Sequence, residues 1–376
     1  MVKKIYFMVA ALLLATTSSL AAASSSGADA SEKDGLAQAW ARMTLYENSD
    51  NTLIKKIALG GRLQLDNVWV NGHEPNENFS DLTWRRARFG LVANLSADIN
   101  LVCKGDFQPD NELGDMYQKL TDAYIAWQPA QGPEIKILKQ SAGFTLDGRT
   151  SSTKLQTLER NNLTGNLWFT EEYFTGVSVA GKAGGQGLYK VGLFASDGHP
   201  EIGIDDAGWF AILSLGYQTA KGQVILDYLY QHEDEKANTS NFEQVLSLSG
   251  SWEEGAWGLR GDLAFGAGYA ELGQSDVWGA VVQPSYSLSA HTQAVAQYTF
   301  LASSGDNGLS LHKYDNKIVT ARGDGYNELY GGINVYFYDH RCKWQTGLAW
   351  AKMDDEAADG GAYEGVTLST GLRLYW

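Results

Sequence analysis

The sequence predicts an all-β fold, a transmembrane antiparallel β-barrel of about sixteen strands preceded by a short N-terminal periplasmic helix. Three observations point there. Beyond its leader the chain is a string of strand-length segments with period-two alternation, the links between them alternate between very short and long, and the rhythm runs to an aromatic last residue, Trp376. The short links include Ser96-Ala97, Ala220-Lys221-Gly222, Glu253-Glu254-Gly255, Ser289-Ala290 and Asp339-His340. The long ones fall near 71–82, 109–117, 196–207, 233–241, 269–275, 303–325 and 354–361. Outer-membrane barrels need that asymmetry, with short periplasmic turns and long external loops.

The N-terminus carries an export signal. Lys3 and Lys4 precede the apolar run Ile5 to Leu14, and small residues follow to Ala21-Ala22-Ala23, so residues 1–23 read as a secretory leader. No cysteine follows that site to carry a lipid. No later apolar run approaches the roughly 18 residues that a membrane helix needs, so any span must be β. Residues 24–53 form a periplasmic segment, Ser-rich at first, with Leu36, Ala39, Trp40 and Met43 at helical spacing. Residues 54–376 show no linker or composition shift and read as one barrel.

The strands are expected near 54–70, 81–94, 97–108, 118–128, 132–140, 171–181, 187–195, 208–219, 223–232, 242–252, 256–268, 276–288, 291–302, 326–338, 341–353 and 362–376. In the last of them Val366, Leu368, Leu372, Leu374 and Trp376 share one face, against Thr367, Ser369, Arg373 and Tyr375 on the other. That alternation is apolar toward lipid and polar toward a lumen. A soluble sandwich would alternate too, but leader, loop rhythm and terminal aromatic favour the barrel. Gly 42 against Pro 6, with Trp 12 and Tyr 19, suits a large sheet with aromatic girdles.

Charge narrows the function. The formal net charge of −15 becomes −17 without Lys3 and Lys4, which argues against nucleic acid as a partner. The six His residues show no metal-ligand or H-E-x-x-H spacing, and Ser289 near His291 is the sole hint of a hydrolase, at a short turn. Neither a catalytic residue, a metal nor a cofactor is expected.

The segments Gly61-Arg62-Leu63-Gln64-Leu65-Asp66, Trp84-Arg85-Arg86-Ala87-Arg88-Phe89-Gly90 and Asp122-Ala123-Tyr124-Ile125 resemble, in order and spacing, the start of the phosphate-selective porin O/P family. Arg149-Thr150-Ser151-Ser152 with Glu159-Arg160, and Gly325-Tyr326-Asn327-Glu328-Leu329-Tyr330 leading to Gly371-Leu372-Arg373-Leu374-Tyr375-Trp376, resemble its middle and closing segments. The resemblance implies a sixteen-stranded, trimeric porin of the outer membrane that passes small anions, without establishing phosphate as the solute. Lipid and lipopolysaccharide would be its surroundings. A general or cation-preferring porin, and a non-conducting structural or adhesin barrel, are the alternatives.

Strand parity places Arg62, Arg86, Arg88, Lys104, Lys136, Arg260, Arg341, Lys343 and Arg373 in the lumen, with Asp66, Asp106, Asp122 and Asp262 beside them. Cations in a wet lumen attract anions, whereas facing lipid at mid-membrane each would cost about 2–4 kcal/mol. The acids allow a second reading, a charge-balanced wall. The connection 141–170 is the longest and carries Asp147, Arg149, Lys154, Glu159, Arg160, Trp168 and Phe169. A barrel of this size needs a loop to narrow it, and Asp147, Lys154 and Glu159 are its candidate constriction residues, with Arg149 and Arg160 at the pore. Cys103 and Cys342 face lipid, four inter-strand steps apart, roughly 19 Å at about 4.8 Å per step. They are expected as free thiols.

Overall fold

The computed structural model describes residues 37–74, 77–96, 98–168, 172–204 and 208–376. The expected leader, and the periplasmic segment as far as residue 36, lie outside them. The chain divides into two units at Leu45. In the first, the described residues form a helical turn over 37–41 and the start of strand β1 (Thr44–Glu47), a strand not expected from sequence.

The second unit is a closed antiparallel barrel. Its sixteen strands are β2 (Ile54–Gly72), β3 (Asn78–Leu95), β4 (Ile99–Phe107), β5 (Tyr117–Trp127), β6 (Glu134–Ser141), β7 (Tyr173–Ala183), β8 (Gly187–Ala195), β9 (Trp209–Gln218), β10 (Gly222–Gln231), β11 (Phe242–Glu254), β12 (Trp257–Gly268), β13 (Val277–Ser287), β14 (Thr292–Ser303), β15 (Gly325–Tyr338), β16 (Cys342–Asp354) and β17 (Tyr363–Tyr375). Each pairs with its sequence neighbours, and β17 closes on β2 with Leu372 opposite Leu65. All sixteen expected strands are present, with ends within a few residues. Closure extends to the last residue: Trp376 and Gly61 exchange reciprocal backbone hydrogen bonds of 3.1 Å. A Cβ on Gly61 would lie 2.5 Å from the Trp376 ring, so glycine lets that ring lie flat on the seam.

Alternation holds along the wall. In β17, Val366 and Leu368 are exposed while Thr367, Ser369 and Arg373 are buried. Leu213, Leu215, Leu226, Leu248, Leu263, Leu348 and other large apolar residues stand exposed around the barrel, a surface of the kind that meets lipid or a neighbouring subunit. Trp69, Trp127, Trp209 and Trp257 add exposed aromatics, Trp257 packing on Tyr286 at 4.7 Å between centroids. Tight turns put Ser96 and Asp339 at positive φ, 55° and 47°. Cys103 and Cys342 are free, on β4 and β16.

Candidate functional site

The connection between β6 and β7 enters the barrel and runs around its inner wall. It begins with α1 (Leu146–Arg149), capped by Thr145, whose hydroxyl accepts from Gly148 N at 3.3 Å. It returns through α2 (Asn162–Leu167), capped by Asn161, whose side chain accepts from Thr164 N at 2.8 Å. Asp147 ties the two helices, accepting from Asn161 N at 2.9 Å and Nδ2 at 2.8 Å.

An irregular backbone inside a barrel must find donors and acceptors on the wall. Thr145 N and Leu146 N donate to Asp227 of β10 at 3.3 Å and Asp262 of β12 at 2.9 Å. Arg62 of β2 donates to Ser152 Oγ at 2.6 Å, and Lys343 of β16 to Leu155 O at 2.6 Å. Asn334 of β15 reaches Gln156 O at 2.9 Å, and Arg373 of β17 reaches Leu158 O at 3.3 Å. Glu159 meets Arg85 Nη2 at 2.8 Å and Lys313 Nζ at 3.1 Å.

Apolar packing holds the same loop from one side. Phe144, Leu163, Leu167 and Trp168 join inward-facing Phe174, Phe194, Phe210, Leu229, Phe242, Val277 and Leu301 in one buried cluster. Trp168 meets Phe210 edge-on at 5.0 Å. The lumen face of β7–β14 is therefore not uniformly polar, as alternation alone suggests, because these residues face the loop rather than water.

The connection between β14 and β15 also folds inward. Tyr314 donates to Asp66 at 2.9 Å, while Asp315 accepts from Tyr363 at 2.8 Å and Thr367 at 2.6 Å. His312 lies between Glu328, 3.2 Å from Nδ1, and the Arg160 carbonyl, 2.8 Å from Nε2. Burial opposes its charge, but Glu328 outweighs that and the ring is pushed up to about 9. Burial likewise dominates at Lys313, lowered to about 8 against the pull of Glu159. Glu159 itself, despite burial, is held well below the carboxylate range by Arg85 and Lys313.

Two chambers result. One, toward the long loops, has a volume of about 830 Å³ and is lined by Arg85, Arg86, Arg88, Lys119, Arg160, Lys313 and Arg322 against Asp106, Glu159 and Glu172. The other, about 840 Å³ toward the short turns, is lined by Arg149, Lys154 and Arg260 against Glu253 and Asp339.

The expected cations separate into several surroundings, Arg62 among those that hold the loop. Arg86, Arg88 and Arg160 line the first chamber, and Arg149, Lys154 and Arg260 the second. Lys104 rests against Gly60, and Lys136 pairs with Glu134 at 2.9 Å and lies over the Tyr124 ring. Lys343 and Arg373, 0% and 2% exposed, are covered by the loop they donate to. Arg341 is exposed at the β15–β16 turn, one residue before β16 begins. Of the loop acids, Asp147 is buried in the helix tie and Glu159 in the ion cluster.

Parity missed Arg85. The register slips between Gln64 and Leu65, so Trp84 and Arg86 pair with neighbouring residues and Arg85 is the bulged extra, paired to Glu159 inside. The signal was the cost of the alternative, a guanidinium in lipid. The partners Lys313, His312 and Arg322 come from a loop whose inward course no periodicity reveals. Asp306, Asp324 and Glu356 bring carboxylate oxygens within 4.8 Å of one another, Asp306 and Glu356 exposed and Asp324 half-buried, a grouping unseen in sequence.

A family model described as phosphate-selective porin O and P matches residues 57–307, and the closing segments expected to resemble that family lie beyond the match. No curated protein matches the chain. Among solved structures, OprB of Pseudomonas putida is similar at TM-score 0.59 and 10% identity, over 85% of this chain and 94% of that one. The outer membrane channel DcaP of Acinetobacter baumannii is similar at 0.55 and 11%, over 88% and 99%. The trimer form of OmpT of Vibrio cholerae is similar at 0.55 and 14%, over 85% and 99%.

Proposed function

Because the chain belongs to the phosphate-selective porin O and P family and is a barrel of the bacterial outer membrane, we propose that it is an anion-preferring porin, conducting small hydrophilic solutes by passive diffusion without covalent chemistry. One observation carries the preference. The chain as a whole is strongly acidic, at −15, yet the loop-end chamber is lined by seven Lys and Arg against three Asp and Glu. Fixed charge close to the permeation path outweighs distant charge screened over a Debye length of about 8–10 Å. The inward loop 142–168 is the constriction, dividing the bore into its two chambers. A trimeric assembly is supported by the trimer form of a similar barrel.

Reversal potentials of single channels in asymmetric potassium chloride test this. A potential of the sign set by chloride supports the reading, and one set by potassium, or an absence of current, overturns it.

A further inference from the structure

The two inward loops meet at His312, and the partners of its ring specify a charge. Nε2 lies 2.8 Å from the Arg160 carbonyl of the constriction loop, and Nδ1 lies 3.2 Å from the Glu328 carboxylate on β15. A carbonyl oxygen accepts and never donates. Glu328 accepts as well: its oxygens also receive the Tyr326 hydroxyl at 2.9 Å and the Gln297 amide at 3.4 Å, a set of donors that suits an ionised carboxylate. Neutral imidazole carries one N–H and one lone pair, so it serves only one of two such acceptors. Imidazolium donates from both nitrogens.

The charges around the ring agree with that count. Burial, the largest influence, opposes the charge, but Glu328 from β15, Asp315 from the same loop and Glu159 from the constriction loop together outweigh it, and the ring is pushed up to about 9. Two cations are also close in sequence or contact, and each has an acid of its own: Lys313 meets Glu159 at 3.1 Å, and the Arg160 guanidinium meets Glu172 at 2.9 Å. His312, Lys313 and Arg160 all line the loop-end chamber. Nearby, Ser310 joins the same two loops through neutral groups, accepting from Asn162 and Asn166 at 3.0 Å each and donating to Asn166 Oδ1 at 2.7 Å. Those ties are indifferent to pH. The His312 bridge is not.

We infer that His312 is a protonation-dependent positioning residue of the channel: as imidazolium it pins the Arg160 carbonyl of the constriction loop to the β15 wall and adds a positive charge to the loop-end chamber, and as neutral imidazole it loses its hold on Glu328 and that charge together. The inference rests on the channel reading above for its electrical readout. The charge is present below the folded value and lost as pH rises through it, so anion preference falls on the alkaline side.

The test is the reversal potential of the full-length channel and of His312→Gln in asymmetric potassium chloride, at steps between about pH 7 and about pH 10. Lys313, lowered to about 8, titrates in the same range, but it is present in both proteins and the difference between them belongs to His312. The native channel is expected to prefer anions about threefold more than the variant at the lower limit, the effect of one unit charge a few ångströms from a wet path. The two are expected to converge at the upper limit. A difference that stays constant with pH marks a merely structural role and overturns the inference, as does no difference at any pH. If His312→Gln fails the heat-modifiability check for folding, NMR of the native, histidine-labelled protein in detergent decides: one ring still charged at about pH 8, where an unperturbed imidazole is almost wholly neutral, supports the inference, and six neutral rings overturn it. A protein with no chloride current refutes the channel reading instead, and the same NMR measurement then decides the charge on His312.

Discussion

Arg86 and Arg88 are two residues apart on β3 and equivalent by parity, but their surroundings predict opposite mutant behaviour. Arg88 is 2% exposed, holds Asp106 through Nε at 2.7 Å and Nη2 at 2.8 Å, lies 3.9 Å from Asp122 and contacts the Tyr173 hydroxyl. Replacing it with Ala strands two partly buried carboxylates. Breaking a buried pair costs about 3–5 kcal/mol, and the partial exposure of both acids places this site near 3. That is a shift of about a hundredfold in the folding equilibrium. Arg86 gives up one hydrogen bond to a neutral amide, about 1 kcal/mol. Its loss instead removes a unit charge beside the path, worth about 1 kcal/mol at 4 Å in water, or roughly fivefold in anion preference. Denaturant unfolding followed by heat-modifiable mobility, and reversal potentials on the same proteins, measure both. If Arg86→Ala destabilises as much as Arg88→Ala, or leaves the reversal potential where it was, the assignment of one residue to structure and the other to conduction is wrong.

Deleting about ten residues within 151–160 joins the two chambers and should raise single-channel conductance; an unchanged value would mean that the segment does not narrow the path. Trp168→Ala opens a cavity in the aromatic cluster, at a cost of about 3–5 kcal/mol, and should lower the thermal midpoint while increasing current noise. His312 contributes through a raised folded value, so its stabilisation is present below pH about 6.5 and is lost as pH rises through about 9. The stability difference between the native chain and His312→Gln should shrink over that window, and a difference that grows would reverse the sign. Mass spectrometry of the folded protein should find Cys103 and Cys342 unlinked, since a bridge would contradict their positions on β4 and β16.

The wall was legible because side chains on a membrane-spanning strand answer to two solvents in strict alternation, and each strand repeats the test. What was hidden depends on departures from period two or on contacts between distant segments. Arg85 needed the bulge, and Phe194 and Phe210 needed a loop to cover them. His312 and Tyr314 sit in a connection whose composition resembles any surface loop. Lys343 and Arg373 were placed on the correct face, but parity says nothing about whether water or a backbone carbonyl stands in front of it.

The contacts of the inner loop also bear on how the cylinder shuts. Its seam joins β17 to β2, and the buried Arg373–Asp66 pair across it spans 307 positions of sequence. Contacts so remote are slow to form, because the chain must search widely before they reward it. A segment from mid-chain is nearer to each side than they are to one another, and it grips both: Ser152 accepts from Arg62 on one side, and Leu158 from Arg373 on the other. The loop is thus a clasp fastened from within. A substitution there should first be visible as a lower yield of shut barrels, ahead of any change in conductance.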